Sequence, residues 1–379
     1  MERLSKLKQF ILSDHRYVLL GTSVVAAIGI WFSMQKRSAM SFLRGAYALE
    51  VVMYWILIAW LAISAVALVW KLTHWEGDAY QRTSPFTKPA AKRILRYGSY
   101  VVWAITAVLF VDRAVMGFLS IVSQSLAQDK NPSDFLSSIV YMLDKSYDII
   151  GRGILTTVGL SVFGTLIAFF LAILLVFIRI QEVDRCDNDF VRFCKRFGCE
   201  FAKAYSTIVR GTPMMVQAMV IYYGSAQAWG IDLDPFLSGI LVLSLNTGAY
   251  MAESVRGAIT GIDPGQLEGA YAIGFSHVQA MTRVIIPQAF RNLIPQIGNM
   301  FISSIKDTSV LNVISVTELY FIGRGVSSAY YRFFETYFII SMIYLFLTFV
   351  TSRLLGLMER RLDGARDYEL VVDSQAEVA

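Results

Sequence analysis

The sequence predicts an all-α integral membrane protein with about eight transmembrane helices. Of its 379 residues, 55% are apolar and 17% are charged, whereas soluble domains carry about 25% charged residues. The mean hydropathy is +0.52, and residues 51–70 and 154–178 are charge-free runs of 20 and 25 residues, each long enough to cross a bilayer. These observations exclude a disordered protein, a fibrous protein and an ordinary cytosolic enzyme.

Eight segments are apolar enough to be predicted as spans. They lie at residues 17–33, 51–70, 100–119, 154–178, 212–229, 235–252, 297–322 and 336–355. The first has the flanks of a signal peptide, but it is longer than a usual signal core and has no small-residue cleavage site, so we interpret it as an uncleaved helix. The seventh is the weakest because it contains Lys306, Asp307 and Glu318.

The distribution of basic residues predicts the orientation of these spans. With the N-terminus placed in the cytoplasm, the internal segments contain 24 Lys and Arg residues and the external segments contain 8. Because cytoplasmic loops carry the excess of Lys and Arg in membrane proteins, this ratio predicts cytoplasmic N- and C-termini. The formal net charge of +5 then indicates loops beside anionic membrane lipid rather than a nucleic-acid partner.

The chain is expected to divide near residue 150. Residues 1–150 would form an N-terminal extension with three spans and an external segment, 129–147, that suits an amphipathic helix on the outer face. The apolar positions of that helix are Phe135, Leu136, Ile139, Val140 and Leu143. Five spans follow within residues 151–362, and the polar residues 363–379 are expected to form a frayed cytoplasmic tail.

The residues give no indication of a metal or cofactor site. The three cysteines are Cys186, Cys194 and Cys199, and the three histidines are His15, His74 and His277. The cysteine spacing matches no zinc motif, and neighbouring His and Cys residues do not form a metal cluster. The sequence also contains no Gly-x-x-x-x-Gly-Lys-Ser/Thr phosphate loop, and Gly323-Arg324-Gly325 is interpreted as a turn. The chain is therefore not predicted to be an enzyme.

The long internal segment 253–296, between the sixth and seventh spans, contains signals for two short helices. Asp263 is expected to cap the first helix, with Pro264 at its first position. That helix is expected to run to about Ile273, because Gly274 is suited to the position just past a helix end.

A second helix is expected directly after the first. Ser276 and Gln279 form a capping box, and the helix is expected to stop near Ile286 because Pro287 cannot continue it. Two interpretations of the segment remain open. It is either a hairpin that only packs on the bundle, or a docking element for a cytoplasmic partner in which exposed apolar and aromatic side chains act as anchors.

Residues of this segment resemble a known motif. Glu268-Gly269-Ala270, Gly274 and Ile285-Ile286-Pro287 resemble the EAA loop of ABC importer permeases, in which Glu-Ala-Ala is followed by a glycine and by an Ile-x-Leu-Pro ending. Gly269 replaces the middle alanine, and Ile286 replaces the leucine. The glycine is expected to weaken the helix by up to about 1 kcal/mol relative to alanine.

Further short matches follow the order and spacing of the polar amino-acid permeases. They are Arg210-Gly211-Thr212-Pro213 with Gln217, Glu253-x-x-Arg256-Gly257, Pro287-Gln288-Ala289-x-Arg291 with Pro295 and Asn299, Lys306-Asp307-Thr308-Ser309, and Glu318-Leu319. Over residues 153–362 the chain resembles the permease, or transmembrane, subunit of a polar amino-acid ABC importer of the histidine/glutamine type. Residues 1–150 lie outside this likeness.

The resemblance implies a five-helix permease core at 151–362, with three extra N-terminal helices, in a bacterial inner (plasma) membrane. It implies ATP-driven import of an amino acid by alternating access, with ATP hydrolysis on a separate ABC ATPase that forms a homodimer. The other implied partners are a second permease, either the same chain or a homologous one, and an extracytoplasmic amino-acid-binding protein. The residues that would couple to the ATPase are Glu268, Gly269, Ala270, Tyr271, Gly274 and Pro287.

Polar residues inside the spans are candidates for the translocation path, because they are costly in a membrane and often functional. They are Gln217, Asn246, Lys306, Asp307, Thr308 and Ser309. Either Lys306 or Asp307 faces a water-filled path and meets the substrate, or Lys306 snorkels to the surface and Asp307 caps a helix. Gln217 and Asn246 either line the path or link helices by hydrogen bonds, and we favour the second.

The other charged residues receive simpler interpretations. Glu318 is expected to contact solvent near the outer end of its span, and Arg210 to act as a topogenic charge. Asp112 and Arg113 are expected to form interfacial ion pairs with other residues near the outer surface. The alternative function is a stand-alone, ion-coupled amino-acid carrier; such carriers often contain inverted repeats, which this sequence does not display.

Overall fold

The computed structural model describes residues 21–74, 82–181 and 187–363. The regular elements in these three ranges are all helices, which confirms the predicted all-α class. The chain forms two compact units, Met1–Tyr141 and Met142–Ala379. Five helices in the described ranges are long and apolar enough to cross a membrane, and they contain the predicted spans at 51–70, 100–119, 154–178, 235–252 and 336–355.

The first unit is built on apolar helices around a small core. Its helices are α1 (Gly21–Met34), α2 (Tyr47–Thr73), α3 (Pro89–Phe110) and α4 (Met116–Leu126), with a π turn, Val111–Val115, between α3 and α4. α1 packs tightly because a Cβ atom on Gly29 would lie 2.5 Å from Thr106 Oγ1 and 2.9 Å from Leu57 Cδ1. Close approach at small residues is typical of membrane helices. The first predicted span overlaps α1, but its residues 17–20 lie outside the described residues.

The fourth predicted span belongs to a helix of 45 residues, α5 (Phe135–Arg179). The separate amphipathic helix expected at 129–147 is therefore wrong, since its residues from Phe135 onward form the first turns of α5. No proline interrupts these turns. Asp148 and Arg152 form an ion pair at 3.0 Å across one turn, which favours continuous helix through the polar stretch.

The second unit contains the remaining helices. They are α6 (Asp189–Gly211), α7 (Met214–Trp229), α8 (Pro235–Thr260), α9 (Pro264–Ala272), α10 (His277–Ala280), α11 (Ile286–Asp307), α12 (Leu319–Tyr330) and α13 (Phe333–Asp363). α6 lies between the fourth and fifth predicted spans, where the sequence predicts no span. α7, at the fifth predicted span, has 16 residues, fewer than the ~20 that a full span needs.

Helix α8 lies at the centre of the second unit. One apolar cluster joins it to α5 and α11 through Val176, Met251 and Leu293. A second cluster joins it to α5 through Leu160 and Leu243. Relative to exposure to water, each fully buried large apolar side chain in these two clusters stabilises the unit by about 1.5–3 kcal/mol. Inside a bilayer, helix packing depends more on close contact than on removal from water.

The seventh predicted span, 297–322, is wrong as a single helix. α11 ends at Asp307, a 3₁₀ helix follows, and Ser315 adopts a left-handed φ of 61° before α12 begins. Polar side chains in this break bond to the local backbone, as Asn312 Nδ2 does when it donates to Ser309 O at 2.6 Å. Such bonds compete with the regular helical ladder.

Candidate functional site

The two-helix loop, residues 263–287, contains all the residues expected to couple to an ATPase. Both of its helices begin with the predicted caps. Asp263 Oδ1 accepts a hydrogen bond from Gly265 N at 2.8 Å at the start of α9. Ser276 and Gln279 form the reciprocal capping box before α10, with Ser276 N donating to Gln279 Oε1 at 2.9 Å.

The end of α9 is a Schellman motif. Phe275 N donates to Ala270 O at 3.1 Å, and Gly274 N donates to Tyr271 O at 2.9 Å. Gly274 has φ +88°, a conformation that glycine adopts at little cost because it has no Cβ. The turn between α9 and α10 therefore has a fixed geometry that depends on this glycine.

The second helix does not stop before Pro287, so that prediction is wrong. α10 passes through a π turn, Met281–Ile285, directly into α11, and Pro287 lies in the first turn of α11. In a regular α-helix the proline ring collides with the carbonyl four residues earlier. The wider π turn just before Pro287 relieves that conflict, so the two-helix loop is continuous with α11.

The two-helix loop buries small residues and exposes large ones. Ala270 is 4% exposed, whereas Tyr271, Ile273 and Val278 are 43%, 73% and 68% exposed. The Tyr271 hydroxyl lies 2.7 Å from His277 Nδ1, which holds the aromatic ring of α9 against the start of α10. The loop thus presents an ordered apolar surface.

The other expected coupling residues lie on the same element. Glu268 and Gly269 are exposed in the middle of α9, and Pro287 is exposed at the start of α11. A Cβ atom on Gly269 would meet no atom within 4 Å, so the departure from Glu-Ala-Ala reflects no steric requirement within this chain.

The Glu253 carboxylate on α8 forms ion pairs with three arginines. Its Oε1 lies 2.5 Å from Arg179 on α5 and 3.7 Å from Arg210 on α6, and its Oε2 lies 2.9 Å from Arg256. The Arg210 guanidinium also lies 5.6 Å from the centre of the Tyr250 ring. Arg210 is therefore part of an ion-pair cluster that joins three helices, in addition to any topogenic effect, and local sequence gave no signal for the partners on α5 and α6.

Gln217 and Asn246 lie together between α7 and α8. Asn246 Nδ2 donates to Gln217 Oε1 at 3.0 Å. Gln217 Nε2 in turn donates to Val209 O at 2.7 Å and Thr212 O at 3.0 Å. This geometry corresponds to the helix-linking interpretation of the pair.

Two of the path candidates line a cavity of about 440 Å³ in the second unit. Lys306 comes from the end of α11 and Ser309 from the 3₁₀ helix that follows it, and the aromatic walls of the cavity are Tyr320, Tyr337 and Tyr344. Lys306 carries the single formal charge among the described residues that line this cavity. We call it the Lys306 cavity.

The neighbours of Lys306 in the sequence have different surroundings. Thr308 is fully buried and donates to Ile305 O at 2.8 Å. The Ser309 hydroxyl donates to Lys306 O at 2.7 Å, which leaves its lone pairs as acceptors. Asp307 is exposed, and it is not among the residues that line the cavity.

Glu318 is buried, so the expectation of solvent contact is wrong. Its carboxylate accepts hydrogen bonds from the backbone N–H groups of Tyr320 and Phe321, both at 2.7 Å, and from the Tyr344 hydroxyl at 3.0 Å. It caps α12 and positions two walls of the Lys306 cavity. The sequence could have indicated the capping role of Glu318 only through the Glu318-Leu319 match. The turn predicted at Gly323-Arg324-Gly325 is wrong, because these residues lie inside α12.

Comparison with known proteins identifies the family to which this architecture belongs. Residues 190–364 match the family described as binding-protein-dependent transport system inner membrane component. The chain is 32% identical over 229 residues to the nopaline transport system permease protein NocM of Agrobacterium fabrum, covering 58% of this chain and 90% of the relative. It is 37% identical over 175 residues to the glutamine transport system permease protein GlnP of Escherichia coli, covering 45% and 80%.

A solved structure agrees with these relatives. A crystal structure of an amino acid ABC transporter with histidines is 33% identical to this chain with a TM-score of 0.54, covering 61% of this chain and 99% of that one. The helical bundle, the two-helix loop and the order of the motifs define a membrane transport permease. The chain belongs to the binding-protein-dependent transport system inner membrane components, as a permease subunit of the amino-acid ABC importers, which confirms the resemblance drawn from the sequence.

Proposed function

We propose that this chain forms the translocation pathway of an ATP-driven amino-acid importer and receives mechanical force through the two-helix loop. The observation that carries the proposal is the ordered apolar surface of that loop and its helical continuity with the Lys306 cavity. The nopaline and glutamine permeases among its relatives support an amino acid as the transported substrate.

The two-helix loop has the properties of a docking element. Tyr271 and Ile273 are apolar or aromatic side chains exposed on a short helix that is capped at both ends, and such rigid anchors dominate binding energies at interfaces. Ala270 packs inward, while Glu268 and Gly269 complete the outer surface of α9. The partner in this proposal is an ABC ATPase, because the chain belongs to the permease subunits of the amino-acid ABC importers.

Helix α11 connects the docking element to the Lys306 cavity. It runs 22 residues from Ile286 to Asp307, a distance of about 33 Å at 1.5 Å per residue. Pro287 lies at one end and Lys306 at the other. A rigid-body displacement of the two-helix loop by ATPase closure would therefore move the cavity wall, which is how alternating access couples to a partner.

The Lys306 cavity suits recognition of an amino acid. The Lys306 ammonium can bind a substrate carboxylate, and Ser309 offers acceptor lone pairs beside it. The tyrosine faces of Tyr320, Tyr337 and Tyr344 can attract a substrate ammonium. In this proposal Asp307, Thr308, Gln217 and Asn246 support the pathway rather than contact the substrate.

The assembly follows from the same proposal. Residues 151–362 act as the five-helix core, with the two-helix loop and both termini in the cytoplasm and residues 1–150 as an extension. Two ATPase subunits pair with two permeases, either two copies of this chain or this chain and a homologue. An extracytoplasmic binding protein delivers the amino acid on the opposite side of the inner membrane.

The test is uptake by proteoliposomes that contain the full complex, with a panel of labelled amino acids. We expect uptake that requires internal ATP and that Lys306→Gln abolishes while the complex still assembles. Lys130→Gln, which removes an exposed charge in the first unit, is the matched control and should leave uptake unchanged. Accumulation driven by an ion gradient without ATP would instead support a stand-alone carrier.

A further inference from the structure

A second cavity lies in the first unit, outside the residues that match the permease family. Its volume is about 280 Å³. Its polar and charged walls are Ser33, Gln35, Arg37, Tyr47, Glu50, Tyr54 and Arg113. We call it the Arg37 cavity, and nothing in the proposed transport cycle uses it.

A buried network of charges forms the base of the Arg37 cavity. Glu50 Oε2 accepts from Arg37 Nη2 at 2.6 Å and from Arg37 Nε at 3.0 Å, and Glu50 Oε1 pairs with Arg113. Arg113 also pairs with Asp112, which is fully buried and accepts from Ser41 Oγ at 2.8 Å. Asp112 and Arg113 were expected to pair with other residues: Arg113 does pair with Glu50, but it also pairs with Asp112, and both side chains are buried within the first unit.

The network is balanced in charge and still has unused donors. Two guanidinium groups and two carboxylates give a formal charge of zero. Among the described residues, however, Arg37 Nη1 makes no hydrogen bond, and the buried Arg113 Nε has no partner. The Arg37 side chain is 31% exposed, so its free edge is accessible from the cavity.

Two neighbours hold the Arg37 side chain in place. Its guanidinium lies 5.3 Å from the centre of the Tyr47 ring, and its Nε and Nη2 atoms donate to Glu50. Buried charges near a membrane are costly and usually functional, and Arg113 lies in a π turn, a distortion that is frequent at functional sites.

We propose that the Arg37 cavity binds a small zwitterion that carries an ammonium group and an anionic oxygen group. The anionic oxygens accept hydrogen bonds from Arg37 Nη1. The ammonium lies towards Glu50, whose oxygens have lone-pair capacity beyond the three present donors, and towards the ring of Tyr54. A ligand with no net charge leaves the neutral balance of the network intact, whereas a net anion or cation would add an uncompensated charge.

Two sources supply this chemistry. One is a free amino acid, and the other is the headgroup of an aminophospholipid such as phosphatidylethanolamine. The site does not depend on the proposed transport function, because its residues lie outside the permease core.

The experiment measures binding to the full-length chain in phosphatidylglycerol nanodiscs by calorimetry. The probes are glycine, L-alanine and L-glutamine for the first source, and glycerophosphoethanolamine for the second. Glycerophosphoglycerol has the same phosphodiester without an ammonium and serves as the ligand control. The amino-acid titrations are repeated with Lys306→Gln, so that binding in the Lys306 cavity is separated from binding in the Arg37 cavity.

The matched variants are Arg37→Gln and Arg44→Gln. Both remove one positive charge from the same connection between α1 and α2, but Arg44 is exposed and does not line the cavity. We expect at least one zwitterionic probe to bind, with affinity at least tenfold lower in Arg37→Gln and unchanged in Arg44→Gln. Tyr54→Leu, which removes the aromatic ring but keeps an apolar side chain, should weaken the same probe if Arg37→Gln does not fold.

The outcomes assign the source or overturn the proposal. Binding of the amino acids identifies a free amino acid, and binding of glycerophosphoethanolamine identifies the lipid headgroup. The proposal is overturned if no zwitterionic probe binds more tightly than glycerophosphoglycerol. It is also overturned if the folded Arg37→Gln and Tyr54→Leu proteins bind as the wild type does.

Discussion

Replacing Gly274 by alanine perturbs the turn between α9 and α10 without a steric clash. A Cβ atom there would meet no atom within 4 Å, but the residue has φ +88°, where an L side chain costs about 1–2 kcal/mol. Alanine also restricts the unfolded chain, which offsets about 0.4–1 kcal/mol of that cost. The net cost of about 1 kcal/mol lowers the ratio of closed to open turn about fivefold.

The control for Gly274→Ala is Gly269→Ala in the preceding helix. A Cβ atom on Gly269 would also meet no atom within 4 Å, but this glycine is inside α9, where alanine is favoured by up to about 1 kcal/mol. The same chemical change on the same loop should therefore have opposite effects.

Amide hydrogen exchange of the reconstituted chain measures both effects. The amides of residue 274 and Phe275, which donate the two Schellman hydrogen bonds, should exchange about fivefold faster in Gly274→Ala because the closed turn is about 1 kcal/mol less stable. The amides of α9 should exchange more slowly in Gly269→Ala. ATP-driven uptake should fall in the first variant and persist in the second. Equal exchange in both variants, or a shift in the same direction, would refute the assigned geometry.

Two further predictions concern stability. Glu318→Ala should destabilise the second unit by about 1–3 kcal/mol, because two backbone N–H groups and the Tyr344 hydroxyl lose their buried acceptor; an unchanged thermal midpoint of the purified protein would contradict the cap. Arg179→Gln should destabilise the second unit by about 1–3 kcal/mol, and Arg210→Gln should destabilise it by less than about 1 kcal/mol. The reason is that the two arginine side chains beside Glu253 are 14% and 43% exposed, respectively. Equal losses of stability in the same assay would show that burial does not determine how much each ion pair contributes.

Features encoded by neighbouring residues could be predicted from the sequence. The caps Asp263 and Ser276 and the terminal Gly274 act within a few residues, so the start of each loop helix and the end of the first were placed correctly. Long charge-free runs likewise gave the spans at 51–70 and 154–178, because bilayer thickness sets a length that can be counted.

Features that depend on distant partners or on an irregular helical turn could not be predicted. Pro287 signals a helix end locally, but the π turn before it lets the helix continue. The sequence predicts Glu318 as an exposed acid, yet the Tyr344 hydroxyl, 26 residues away, joins the backbone of α12 in binding it. Arg179 is 74 residues from Glu253, so their ion pair required the packed bundle.

The same contrast applies to the candidate site. The motif match could name the residues expected to couple to an ATPase, because they lie close together along one capped loop. It placed Lys306 and Ser309 among the path candidates but did not separate them from Thr308, whose hydroxyl bonds to its own helix. Which of these side chains line the cavity depends on the side of the 3₁₀ helix on which each one lies.

The most direct test of the coupling mechanism is site-specific photocrosslinking from Tyr271 in membranes that contain the whole transporter. Replacing Tyr271 with a benzophenone amino acid should give a crosslink to an ATP-hydrolysing subunit, and its yield should change when ATP is added. The same group at Tyr331, which is 84% exposed but far along the chain from the two-helix loop, should give no such crosslink. A crosslink to the ATPase from Tyr331 and none from Tyr271 would contradict docking through the two-helix loop.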